Sequence, residues 1–108
     1  MPRIAFRFHG PAQVSNAAAT KFTVASNEKW IVRHIHVYNP SGSPVTFTAS
    51  IGADAASTRI FDALSIGAQE YVDHFCYYTM EETEIFQAFA GTNNILVLVI
   101  DGDKCVLG

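Results

Sequence analysis

Two histidines, His34 and His36, lie two residues apart in the apolar stretch Trp30–Tyr38. On an extended strand side chains two apart point the same way, so both imidazoles face one side. A His-x-His pair on a strand is the opening half of a metal site in small cupin-type barrels, where imidazole nitrogens supply two ligands. A cupin also needs a carboxylate a few residues later, and here Asn39, Pro40 and Ser41 follow. Its second motif sets a histidine after a Pro-x-Gly turn, and Gly67–His74 lacks that proline. The expectation is therefore no metal and no cofactor, with His34 and His36 at a protein contact.

Other chemistry is thinner. There is no Gly-x-Ser-x-Gly nucleophile elbow and no phosphate-loop or dinucleotide glycine motif. Asp73 and His74 are adjacent, so on one strand they point to opposite faces and cannot act as orienter and base. Asp54, Asp62 and Glu70 are scattered, and Glu81, Glu82 and Glu84 read as a solvated acidic corner. Asp101-Gly102-Asp103 is too short for a calcium loop. Cys76 and Cys105 stand far apart without zinc or redox spacing, which predicts free thiols. No catalytic residues can be assigned, and the chain is expected not to be an enzyme.

Composition supports a contact role. Hydrophobic residues make up 49% of the 108 and charged residues 16%, against a usual charged share of about 25%. So thin a polar coat predicts that a partner covers part of the apolar surface. The net charge of −3 comes without a Lys/Arg cluster, which argues against nucleic acid as a partner. There is no run of apolar residues long enough to span a bilayer and no apolar core to a leader in Met1–Gly10, so the expectation is a chain made in the cytoplasm without a membrane partner.

The elements that must position these residues read as strands. Arg3–His9 alternates, with Ile4, Phe6 and Phe8 on one side and Arg3, Ala5, Arg7 and His9 on the other; Gly10-Pro11 ends it. Pro11–Ala19 is small and polar, so residues 1–19 are expected to form an N-terminal strand or arm and linker, packed on its own domain or on a neighbour, ahead of a sandwich over 20–108. Thr20–Val24, Trp30–Tyr38, Val45–Ile51, Thr58–Phe61, Gln69–Tyr78, Glu84–Ala90 and Ile95–Ile100 follow, separated by turns. Asn39–Pro44 predicts a hairpin between its flanking strands, and Gly91-Thr92-Asn93-Asn94 another, since Gly and Asn tolerate positive φ. Val45, Phe47, Ala49 and Ile51 should face in, with Thr46, Thr48 and Ser50 out. Asp101–Gly108 reads as a tail. About eight regularly spaced strands without a convincing helix predict one all-β domain, an antiparallel sandwich or jelly roll.

Within that frame Trp30–Tyr38 is apolar or aromatic on both faces. Ile31, Arg33, Ile35 and Val37 lie on one, and Trp30, Val32, His34, His36 and Tyr38 on the other. One face is core. The second is either covered by the first strand of the same chain or is a subunit contact of the aromatic kind that interfaces favour.

The segment Lys21–Gly52 resembles a pattern common in small virion proteins of tailed bacteriophages. It runs from a short aromatic strand, Phe22-Thr23-Val24, through a turn to Trp30–Asn39, then Ser41–Pro44 and a strand ending in Ile51-Gly52. Arg59-Ile60-Phe61 and the Gly67–Tyr71 turn into Val72 also fit, so the likeness covers roughly residues 20–100. It implies a non-enzymatic structural protein of the phage particle with a sandwich or jelly-roll fold. Such proteins decorate or cement capsids, or sit on the tail or at the head–tail neck. They are usually homo-oligomers, often trimers, in contact with virion proteins such as the major capsid protein. The interface expected on this basis comprises Ile4, Phe6 and Phe8 of the arm with Trp30, His34, His36 and Tyr38. A glycan-binding face using Trp30 and Tyr38 is the alternative outside the virion.

Overall fold

A computed structural model describes residues 3–106; the ends of the expected arm and tail, residues 1–2 and 107–108, lie outside the described residues. The described residues fold into eight strands: β1 (Arg3–Gln13), β2 (Ala19–Thr23), β3 (Glu28–Tyr38), β4 (Val45–Ile51), β5 (Arg59–Ile66), β6 (Tyr71–Met80), β7 (Ile85–Ala90) and β8 (Val97–Val106). They form two four-stranded sheets in the orders β1-β8-β3-β6 and β2-β7-β4-β5. Every pairing is antiparallel, and β1 pairs with β8, β2 with β7, β3 with β6 and β4 with β5. This nested pairing, first strand with last and inward from there, is that of a jelly roll. The all-β sandwich expected from strand spacing is the fold observed.

Two expected hairpins are crossings between sheets instead. β3 and β4, on either side of Asn39–Pro44, lie in opposite sheets, as do β7 and β8 around Gly91–Asn94. The cause is core formation. Ile35 and Val37 on β3, and Val45 and Phe47 on β4, all enter the same buried cluster, and strands from two layers can bury them together. The first crossing is fixed by Asn39, which is fully buried. Its Nδ2 donates to the carbonyls of Ser43 (2.8 Å), Ile66 (2.9 Å) and Gly67 (3.1 Å), and its Oδ1 accepts from Ser41 N and Oγ. A buried amide with every polar atom partnered holds a loop firmly.

Asp101–Val106, expected as a tail, continues β8 and pairs on both sides, with β1 and with β3. β1 likewise runs past Gly10-Pro11 to Gln13, with register shifts between Arg7 and Ala12. Gly10 adopts φ of 81°, and a side chain there would collide with the Leu98 carbonyl, so only glycine suits the close approach to β8. Thr48 and Ser50, expected on the solvent side of β4, are buried. Thr48 Oγ1 accepts from Ala63 N at 3.0 Å and Ser50 Oγ donates to the Gly52 carbonyl at 3.0 Å, which satisfies both hydroxyls away from water.

The core is organised around an aromatic stack that joins the layers. Phe8 of β1 stacks on Trp30 of β3 at 4.8 Å between ring centroids and meets Phe22 of β2 at 5.2 Å. Phe22 in turn stacks on Phe86 of β7 at 5.2 Å. Phe8 and Val14 are both buried, so Arg3–Gln13 packs in cis as a full member of the sandwich. The same stack places Phe8 and Trp30 inside the protein and not on a contact surface.

β3 explains the doubly apolar stretch. Its pairing shifts between Val32 and His34 against both β6 and β8. Ahead of the shift Trp30 and Val32 enter the core; after it Ile35 and Val37 do. A β-bulge changes which parity of residues faces inward, so the two apparent apolar faces are one core face read across the break. At this point Gly102 of β8 lies opposite Val32, and an added Cβ would strike the Ile31 carbonyl.

Two substitutions test these assignments. Trp30→Ala should lower folding stability by about 3–5 kcal/mol, as expected for truncating a buried large aromatic, measured by urea denaturation. Gly102→Ala should also destabilise, by more than the ~1 kcal/mol typical of a random substitution. A Trp30→Ala protein as stable as the parent would place that ring on the surface after all.

Candidate functional site: a histidine–aspartate cluster in an aromatic face

Beyond the break, the outward positions of β3 are His34, His36 and Tyr38. Their direct neighbours on β6 are Phe75, Asp73 and Tyr71, in that order. β6 alternates without interruption, so Tyr71, Asp73, Phe75, Tyr77 and Thr79 all face outward and are exposed. The strand forms one edge of its sheet.

Three titratable side chains converge here. His36 lies directly across from Asp73, and its Nδ1 is 2.6 Å from Asp73 Oδ1. His34, one pleat away on the same face, brings Nε2 to 2.8 Å from the same oxygen. A carboxylate only accepts, so both imidazole nitrogens donate. These two hydrogen bonds, His36 first, hold the Asp73 carboxyl below the usual carboxylate range. On the other side of His34, its Nδ1 lies 3.6 Å from Asp101 Oδ1 on β8. That separation is within ion-pair reach but too long for a hydrogen bond.

Aromatic rings frame the cluster. Phe75 stacks on the His34 imidazole at 4.6 Å with 10° between planes, and Tyr71 flanks His36 at 5.6 Å. Exposure of the outer row is high: 63% for Tyr71, 77% for Phe75 and 58% for Tyr77. Tyr77 also receives Arg33 and Arg3, whose guanidinium carbons lie 5.5 and 5.7 Å from its centroid. Both arginines donate to Asp103 Oδ2, at 3.1 and 2.6 Å. The outer face thus carries an aromatic row on β6, a His–Asp cluster behind it, and an Arg–Asp ladder toward β1. A shallow open groove lies over Gly102, between Arg7 and Arg33.

Of the residues expected to form a contact, His34, His36 and Tyr38 share this face, half-exposed. Ile4 and Phe6 are exposed at the β1 edge, 53% and 41%, with Lys104 Nζ 4.3 Å above the Phe6 ring. Phe8 and Trp30 are in the core. Asp73 is the member of the cluster that sequence reasoning passed over. It was weighed against its neighbour His74, which points inward and bonds Tyr78 Oη at 3.0 Å. Its real partners come from a strand 37 and 39 residues away in sequence.

His36 with Asp73 is a base–orienter geometry, but the thiols nearest in type to a nucleophile are not activated. Cys76 faces inward, its Sγ donates to the Val32 carbonyl, and burial pushes its pKa up to about 11; low-pKa thiols are the reactive ones. Cys105 is buried, and both cysteines are free. The cluster offers donors to a cation, and the aromatic row offers a surface to a partner. No protein-family model matches the chain, and a search of curated proteins finds no match.

The depressed Asp73 carboxyl gives a signed expectation. Its contribution to stability is fully present above the unfolded carboxyl value, about 3.9, and is lost as pH falls through the lower folded value. In chelator-treated buffer, carbon-detected NMR should show Asp73 titrating below that value, and Asp73→Asn should abolish this part of the acid dependence of the urea midpoint. An Asp73 carboxyl titrating at or above the ordinary value would show that the histidine hydrogen bonds do not persist in solution.

Proposed function

We propose that this chain is a non-enzymatic structural protein of a phage particle, a capsid decoration or cementing protein acting through subunit contacts. The observation that carries the contact reading is the row Tyr71, Phe75 and Tyr77. Three large rings, each more than half exposed, stand together on an open edge strand. An uncovered edge of this kind invites pairing and aggregation unless a partner occupies it, and large rigid aromatics with arginine beside them are the composition of interface centres. The phage assignment rests on the resemblance of Lys21–Gly52 to virion proteins, and the jelly-roll fold is compatible with it. Fold alone does not assign function.

The occupants of this face are a second copy of the chain or a neighbouring virion protein such as the major capsid protein. A tail or neck position uses the same contact face at a different place in the particle. A glycan-binding reading draws on a specific feature, exposed rings beside the polar side chains of Asp73, His34 and Arg33, since sugars stack on aromatic faces while hydroxyls bond to such groups.

The double variant Tyr71→Ser, Phe75→Ser separates these. Both residues are surface positions, so folding stability should change by no more than about 0.5 kcal/mol. Self-association by analytical ultracentrifugation, and attachment to particles lacking the protein, should both be lost. A variant that associates and attaches like the parent defeats the contact reading. Binding of the parent, but not the variant, to a carbohydrate array would favour the glycan reading.

A further inference from the structure

We propose that His34, His36 and Asp73 form a binding site for a divalent transition-metal ion, with Asp101 orienting one of the ligands. The inference stands apart from the contact reading, because it concerns the free chain.

Three observations carry it. The first is convergence. His34 Nε2, His36 Nδ1 and an Asp73 oxygen lie within 4.8 Å of one another, all on the outer face of one sheet. Two imidazoles and a carboxylate are the borderline donors that zinc, nickel and copper(II) prefer over the all-oxygen sets of magnesium and calcium.

The second is the proton count at His34. A carboxylate faces each ring nitrogen, Asp73 at Nε2 (2.8 Å) and Asp101 at Nδ1 (3.6 Å). A neutral imidazole has one N–H and can direct it to only one of them. A cation on the Nε2 side satisfies both carboxylates with the ring neutral. It takes the Nε2 lone pair and the Asp73 oxygen, and leaves the N–H on Nδ1 pointing toward Asp101. Once Asp101 closes from 3.6 Å to hydrogen-bond distance, that arrangement, metal–imidazole–carboxylate, is how protein sites fix the tautomer of a histidine ligand. It also sets two carboxylate charges against the two positive charges of the ion.

The third is support. The groups come from three adjacent hydrogen-bonded strands, β8, β3 and β6, and the His34 ring is held against Phe75. Ligands on a rigid sheet with stacked rings are pre-organised. Zinc–ligand bonds of about 2.0–2.1 Å put tetrahedral donors roughly 3.3 Å apart. The N···O distances of 2.6 and 2.8 Å therefore open by about 0.7 and 0.5 Å when a metal replaces the shared protons, a movement within reach of the Asp73 side chain. The remaining coordination positions face solvent.

The test uses full-length, tag-free protein and zinc chloride. Isothermal titration should show one zinc per chain. Ring resonances of His34 and His36 should shift on titration, while those of inward-facing His74 and half-buried His9 on β1 stay in place as internal controls. His36→Ala and Asp73→Ala should each weaken binding by at least about tenfold, and Asp101→Asn by about tenfold through loss of orientation. Circular dichroism establishes that each variant is folded; should His36→Ala fail to fold, the ring resonances of the parent protein decide. Cobalt(II) in place of zinc should give the absorption bands of a low-coordinate nitrogen/oxygen site. Absence of saturable zinc binding, binding undiminished in folded Asp73→Ala, or shifts at His9 and His74 instead would each overturn the proposal. Because the titration uses the parent chain and needs no partner, its failure leaves the aromatic contact untouched, and loss of assembly in the Tyr71/Phe75 variant says nothing against zinc binding by the parent.

Discussion

The break in β3 between Val32 and His34 is the constraint on which the molecule depends. A strand of period two can serve one core face only while its parity holds. By changing parity once, β3 delivers Trp30 and Val32 and then Ile35 and Val37 to the same interior, and the residues released by the change, His34 and His36, go outward beside Arg33. Core and surface site are thus set by one irregularity. Gly102 accompanies it from the neighbouring strand, because the backbones approach too closely there for any side chain.

Around that break the interior is built from aromatic rings that cross between layers. Phe8, Trp30, Phe22 and Phe86 come from β1, β3, β2 and β7, so the stack ties both sheets together at one end of the sandwich. Such rings bury large apolar areas with few torsions to freeze, which suits a small chain with little surplus core. The outer face is a different environment. There the aromatics Tyr71, Phe75 and Tyr77 are left in water, and their neighbours are charged groups already paired with one another.

Much of the fold was legible because alternation is a local signal. The bounds of β4, and the sharing of one face by Tyr71, Asp73, Phe75 and Tyr77, follow from period two alone. What escaped was whatever depended on pairing between distant strands. The bulge in β3 leaves no mark in composition, so its two apolar stretches looked like two faces, and Trp30 fell on the one left open between cover by the first strand and a subunit contact. The Asn39–Pro44 and Gly91–Asn94 turns have the residues of hairpins, but turn chemistry does not say whether the next strand stays in its sheet. Asp101–Val106 carries Asp, Gly and Lys and so resembles a tail, yet it is held by ladders on both sides. Asp73 was visible as a residue and invisible as a partner, since its histidines are brought to it only by the β3–β6 register.

The nested pairing has a consequence for how the chain acquires its shape. β8 follows the other seven described strands, yet it lies in the interior of its sheet, between β1 and β3. Until β8 arrives, β1 has no ladder partner, β3 has one open side, and Leu98 and Ile100 are missing from the interior. The half-built sandwich exposes apolar strands and unpaired edges. Loops spanning nearly the whole chain must close before the largest ladders reward them, which places this topology among slow folders dominated by non-local contacts. Order therefore comes late and all together, after the last strand has left the ribosome, and a nascent chain short of β8 is the form most exposed to sticking to its own kind.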